Sequence, residues 1–162
     1  MQYLINKIKT TLEQSLDKKD IQYVVIGGLD QISKAMLDKG VVVLLPISTE
    51  VSSITTGIRD MERKVVKFVI GKNIQNQFNK NAQRESGQEY LMRVMEGNNA
   101  DNTLITTSLR YIIRQNFRVW GVQQDSLSID YMTDELQDVA EGAITGSMQF
   151  TVIDSVIQPI IG

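Results

Sequence analysis

Residues 41–72 read VVVLLPISTEVSSITTGIRDMERKVVKFVIGK, and the order of textures inside this stretch decides the fold. Val41 to Leu45 is a short continuous apolar run, the pattern of a strand covered on both faces. It predicts a strand lying centrally in a sheet and stopped by Pro46. From Ser48 to Arg59 the chain turns rich in Ser and Thr with Gly57, which reads as a long loop or an extended hairpin arm. From Arg63 to Lys72 alternation returns, with Val65, Lys67, Val69 and Gly71 on one side and Lys64, Val66, Phe68 and Ile70 on the other, more apolar side. That predicts a second strand with Phe68 facing inward.

Outward from this stretch, Leu4, Ile5, Ile8, Leu12 and Leu16 recur at helical spacing opposite Lys7, Lys9, Glu13 and Gln14, which predicts an amphipathic helix over residues 3–16. Ile21 to Ile26 is β-branched and ends at Gly27-Gly28, a short strand. Asp30 is placed to cap a helix that carries Ile32, Ala35, Met36 and Leu37 and closes at Gly40. Residues 72–86, KNIQNQFNKNAQRES, read as a mobile loop or an irregular lead into the next helix. Ser86 and Glu89 fit the S-x-x-E capping box, ahead of an apolar stripe of Tyr90, Leu91, Val94 and Met95 that stops at Gly97. Ile105, Leu109, Ile112, Ile113 and Asn116 predict a second long helix. Phe117 to Gln123 and Ser126 to Met132 read as strands. The strongest strand is Ala143 to Asp154, with Ile144, Gly146, Met148, Phe150 and Val152 on one face. The acidic segment Thr133 to Gly142 joins the last two.

These elements describe a single α+β domain over residues 1–162, built on a mixed, mainly antiparallel sheet of about four to five strands with two to three helices packed on one face. A polar arm spans residues 48–60 and an apolar tail spans residues 155–162, where SVIQPIIG closes the sequence. With 42% hydrophobic and 22% charged residues, the composition is that of an ordinary globular chain with one core.

The chemistry is bounded mainly by what is missing. There is no histidine, the commonest general base and metal ligand, and no cysteine, so disulfides and thiolate metal sites are excluded. The first segment has neither a signal peptide's apolar stretch nor a membrane-spanning run, so synthesis in the cytoplasm and no membrane partner are expected. Gly27-Gly28 lacks the remaining glycine of G-x-G-x-x-G, and Gly71-Lys72 lacks a P-loop's upstream glycine because position 66 is valine. A turn between strand and helix accounts for Gly27-Gly28 equally well. Asp134, Asp138 and Glu141 would share a face if helical, yet their spacing matches no calcium loop. A glycosidase carboxylate pair would lack an aromatic sugar platform. Lys64, Lys67, Lys72, Lys80, Arg59, Arg63 and Arg84, with Phe68 and Phe78 among them, make a basic middle of the kind that meets nucleic acid, but Phe68 is better placed in the core. No catalytic, cofactor-binding or metal-ligating residue is assigned, and an enzyme is not expected.

Charge is unevenly placed. After Arg118 come seven acids and no base, so the first 118 residues, with all seventeen bases and the other twelve acids, carry a net +5. Such polarity is either a set of solvated faces that happen to differ or a molecule with a basic end and an acidic end that associates head to side. The second reading names Arg59, Arg63 and Lys67 on one side of a subunit interface and Asp134, Asp138 and Glu141 on the other, with apolar Val156, Ile157, Ile160 and Ile161 buried between copies.

The order of elements, from amphipathic helix through buried strand, Pro46, polar arm, strand and helix to the final GSMQFTVID, resembles the tail terminator and minor tail proteins of long-tailed phages. The stretch Ile21 to Gly40 is longer than a minimal member needs, and the asparagine-rich loop has no counterpart. The resemblance implies a structural virion subunit, made in the host cytoplasm. It would form a homo-oligomeric ring, a hexamer in that family, that caps the tail tube and meets the head connector, with DNA only passing through the lumen. Another neck or head-completion subunit fits the same features. A small nucleotide- or ion-binding module is the competing class, and stabilisation by nucleotides or divalent ions would separate it.

Overall fold

The computed structural model describes residues 1–55, 59–74 and 85–157. Its centre is a five-stranded sheet in the order β1-β2-β3-β5-β4, formed by Tyr23–Ile26 (β1), Val41–Thr55 (β2), Arg59–Asn73 (β3), Ser128–Asp130 (β4) and Ala143–Ile157 (β5). Only β1 and β2 run parallel; every other pair is antiparallel. The helices are Gln2–Ser15 (α1), Lys34–Lys39 (α2), Gly87–Glu96 (α3), Leu109–Gln115 (α4) and the single turn Phe117–Trp120 (α5). The expected α+β class and mainly antiparallel sheet are what the chain forms.

The even-numbered side of β3 faces the larger core. Val66, Phe68 and Ile70 meet Leu4, Ile5, Ile8 and Leu12 of α1 and the Tyr90, Leu91, Val94 and Met95 stripe of α3, along with Ile112, Ile113 and Trp120. Phe150 stands edge-on to Phe68 at 5.3 Å between ring centroids and stacks on Trp120 at 6.2 Å. The opposite face of the sheet carries a smaller core, where Val41, Val43 and Val69 meet Leu37 of α2 and Leu136 and Ala140 of the acidic segment. Val41 to Leu44 are therefore wholly buried because both faces are covered.

Local chemistry sets the ends of the helices. The Ser86 hydroxyl accepts the Glu89 N–H at 3.1 Å and starts α3, as the capping pattern requires. Arg93, one turn from the end of α3, donates to both Asp20 oxygens at 2.6 and 2.9 Å and to Glu85 at 2.7 and 2.9 Å, tying the helix to the turn after α1.

Several expectations are corrected. Asp30 lies in a 3-10 turn, Leu29–Gln31, and Ser33 caps α2 instead, its hydroxyl accepting from Met36 N–H. The second long helix begins only at Leu109, because Ser108 caps it through Tyr111 N–H, and Ile105 sits in the turn before. Phe117 to Gln123 is not a strand: Trp120 N–H bonds back to Asn116 O, α5 forms, and Gly121 ends it in the left-handed region at φ +74°. The strand expected over Ser126 to Met132 is paired only at β4, residues 128–130.

Pro46 does not end β2. The β1 ladder shows which way the backbone of β2 points, because Gly27 N–H and Tyr23 N–H bond to Leu44 O and Gly40 O, so even-numbered residues of this part of β2 turn away from β3. Pro46 falls in that series and opposes Val66, so the N–H it lacks is one that β3 does not need. A bulge between Pro46 and Ser48 then resets the register, and the strand runs on to Thr55. The asparagine-rich loop lies largely at residues 75–84, outside the described residues, as does Gly57.

Candidate subunit interface

The feature left uncovered by both cores is the distal part of β2, β3 and β5. Each of these strands has fifteen residues, and all three stay paired out to Thr55, Arg59 and Ile157. The last buried residue towards the tip is Lys64 on β3 and Val152 on β5, while Pro46 to Ser52 of β2 are all exposed. The five residues of β3 from Arg59 to Arg63 thus project past the last buried position, roughly 17 Å at strand rise. Of the polar arm expected over residues 48–60, residues 48–55 and 59–60 belong to the strands of this extension, with β5 as its third strand, and residues 56–58 lie outside the described residues.

Its root is held by an ion cluster. Lys64 is 3% exposed, and its Nζ lies 2.9 Å from Glu62 Oε2 and 3.1 Å from Asp154 Oδ2. Burial works against the ammonium, but hydrogen bonds to Glu62 and Asp154 outweigh it and raise the Lys64 pKa above its ordinary value. Glu62 and Asp154 are directly opposed on β3 and β5, so the lysine neutralises two carboxylates that would otherwise face each other. The sequence signal for this cluster was the place of Lys64 on the apolar, inward side of its strand.

The two faces of the arm differ. On the α1 side Val51, Glu62, Asp154 and Val156 follow across the three strands; on the other side lie Arg59, Met61 and Arg63, with Glu50 opposite Arg63. Val51, Met61 and Val156 are exposed apolar side chains, and the bulge residue Ile47 is a fourth. Arg59 and Arg63 share the face of β3 that carries Lys67, four and eight residues along the same strand, and the acidic segment Thr133 to Gly142 packs on that face.

The residues expected at an interface separate into three groups. Arg59 and Arg63 are exposed on the arm, and Asp134, Asp138 and Glu141 are exposed on the acidic segment, so one face carries bases towards its tip and acids towards its base. Lys67 is engaged within its own chain, 2.8 Å from Glu135 Oε1. Burial disfavours the Glu135 charge, but the Lys67 ammonium outweighs it and holds the carboxyl below its ordinary pKa. Val156 is exposed on the arm, and Ile157 is described through its backbone pairing with Arg59. Ile160 and Ile161 lie outside the described residues. The acidic segment is a series of turns rather than a helix or a bare hairpin tip, anchored by buried Leu136 and Ala140.

Among the described residues no helix is long and apolar enough to cross a membrane, and no group of three or more His, Cys, Asp or Glu is placed to hold a metal ion. The turn at Gly27-Gly28 leads into a 3-10 turn of three residues, with Gly27 at φ +113°. No family model matches the chain, and no curated protein matches it in sequence.

Proposed function

We propose that this chain is a structural subunit that assembles with copies of itself, in a ring of the tail-terminator kind. The observation that carries the reading is the bare arm: three long strands kept in register beyond the last covering helix, exposing Val51, Met61 and Val156, an arrangement that buries little in an isolated subunit. The charge pattern suggests how copies meet. Arg59 and Arg63 of one copy fit against Asp134, Asp138 and Glu141 of the next, a head-to-tail contact that propagates around a ring when its rotation closes. A tail tube, a head connector and passing DNA are the further partners that the resemblance suggests.

The test is the solution mass by light scattering over a series of concentrations and salt. The expected result is a discrete oligomer that weakens as salt rises, since exposed charges are screened beyond about 8 Å at physiological ionic strength. R59E/R63E should dissociate it, and adding D134K/D138K to the same chain should restore it. A wild-type protein that stays monomeric throughout, or an R59E/R63E protein that assembles normally, overturns the reading.

A further inference from the structure

The two margins of the arm are built differently. On the β5 side, Gln123 N–H bonds to Thr151 O at 2.7 Å and Ile153 N–H to Gly121 O at 2.9 Å, and the Asp154 carboxylate accepts Ser155 N–H at 2.8 Å. That margin is occupied as far as the Ser155 N–H, first by residues 121–123 and then by the Asp154 side chain. On the β2 side, β1 pairs only with Val41 to Leu44, and from Leu45 to Thr55 no described segment pairs with the outer edge. Pro46 and the bulge protect its root alone. Beyond them the edge reads Ser48, Thr49, Glu50, Val51, Ser52, with one charge and no lysine or proline to discourage another strand.

Which groups face out follows from the ladder. Odd-numbered residues of β3 turn towards β2, as the β1 bonds to Leu44 and Gly40 require, and the bonds of Thr151 and Ile153 on the far side agree. After the bulge, Ser48, Glu50 and Ser52 oppose Val65, Arg63 and Met61 and use their backbone groups on β3. Thr49 and Val51 therefore present N–H and C=O outward, and Val51 presents an exposed side chain.

We propose that β2 of one copy pairs antiparallel with β2 of a second copy across a two-fold axis, joining the two sheets edge to edge. The sequence is self-complementary in one register. With Val51 opposite Val51, each Glu50 meets a Ser52 and outward groups meet outward groups. The register one step earlier sets Glu50 directly against Glu50, which like charges disfavour. The register one step later forfeits the contact between the two valines. This contact is isologous and separate from the head-to-tail contact of Arg59 and Arg63, so it pairs two free subunits, or two rings, whether or not the ring forms. A ladder this short is at the small end of specific interfaces, and the dimer should dissociate on dilution.

The experiment uses the full chain carrying D134K/D138K, which removes the ring contact from its acidic side and leaves the arm, where Glu50 opposes Arg63, unchanged. Sedimentation over a wide concentration range should show a monomer–dimer equilibrium, and the Thr49 and Val51 amides should gain exchange protection as concentration rises. Val51→Pro deletes an outward N–H and leaves the β3 ladder intact, so the fold should persist by circular dichroism. One hydrogen bond per copy is lost, and the dissociation constant should rise about thirtyfold. Val51→Lys, which keeps the backbone and opposes two ammonium groups, should have the same effect should the proline variant fail to fold. Concentration-independent exchange at Thr49 and Val51, or a Val51→Lys protein that dimerises like its parent, overturns the proposal. Loss of the wild-type ring with this dimer retained would overturn only the ring reading.

Discussion

Replacing Lys64 by Met should destabilise the subunit more than any other surface-neighbouring change in the arm. Methionine keeps the unbranched stem and leaves no large cavity, so the loss is electrostatic. Removing one partner of a buried ion pair costs about 3–5 kcal/mol. Here Glu62 is 16% exposed but Asp154 is 42% exposed, and water takes up part of the second carboxylate's penalty, so the cost falls to about 2–3 kcal/mol. For a chain of this length that lowers Tm by roughly 4–12 °C. Urea unfolding followed by the fluorescence of the single tryptophan, Trp120, which is buried on Phe150, reads the change directly. K64M/E62Q/D154N should recover most of the loss, because it removes the facing charges along with the cation. A K64M protein within about 0.5 kcal/mol of wild type, or a triple variant no more stable than K64M, would refute the argument.

Two further substitutions test the face opposite α1 and the βαβ turn. The Glu135 carboxyl is held below its ordinary pKa by Lys67, so it adds stability above about pH 4.5 that is lost as pH falls through the folded value. In Lys67→Met the half-buried carboxylate loses its cation and its pKa rises, so stability at pH 7 should drop by about 1–2 kcal/mol and, where burial then outweighs the remaining hydrogen bonds, this group's contribution should grow on acidification; denaturant midpoints at pH 7, 6 and 5 read the reversed slope. Gly40 lies at φ +88°, and a Cβ there would run into the Asp20 carbonyl and come within 3.1 Å of the Tyr90 hydroxyl, so Gly40→Ala should cost about 2 kcal/mol or more by the same unfolding assay, and a neutral result would show that the turn can shift.

The elements legible in the sequence are those whose own side chains state their environment. VVVLL has the pattern of a strand covered twice, and Val41 to Leu44 are buried; the alternation from Lys64 to Ile70 gives its inward side correctly, and Ser86 with Glu89 places the start of α3. What misled were segments whose state depends on distant partners. Phe117 to Gln123 has aromatic and β-branched residues that suit a strand, but Trp120 reaches Phe150 by closing a helical turn after Asn116. Pro46 read as a stop because sequence does not reveal which side of a strand lies at an edge. The charge asymmetry after Arg118 was visible, yet the internal engagement of Lys67 by Glu135 depends on where the acidic segment packs.

The same distinction connects the root of the arm to its tip. Lys64 lies on β3 between Thr49 and Val152, and its two carboxylates on β3 and β5 hold only while the strands keep their present register. A slip of one residue between β2 and β3 would turn the outward N–H and C=O groups of Thr49 and Val51 towards β3 and carry their side chains to the opposite face. The bulge at Ile47 fixes that register on one side of β3, and the buried lysine fixes it on the other. The bulge therefore sets which backbone groups β2 leaves at the open edge, while the ion cluster holds β5 in step with β3 beyond the helices. Weakening it with K64M should raise the exchange rates of the distal arm amides before those of the core, and should loosen edge pairing although no residue of the edge has been changed.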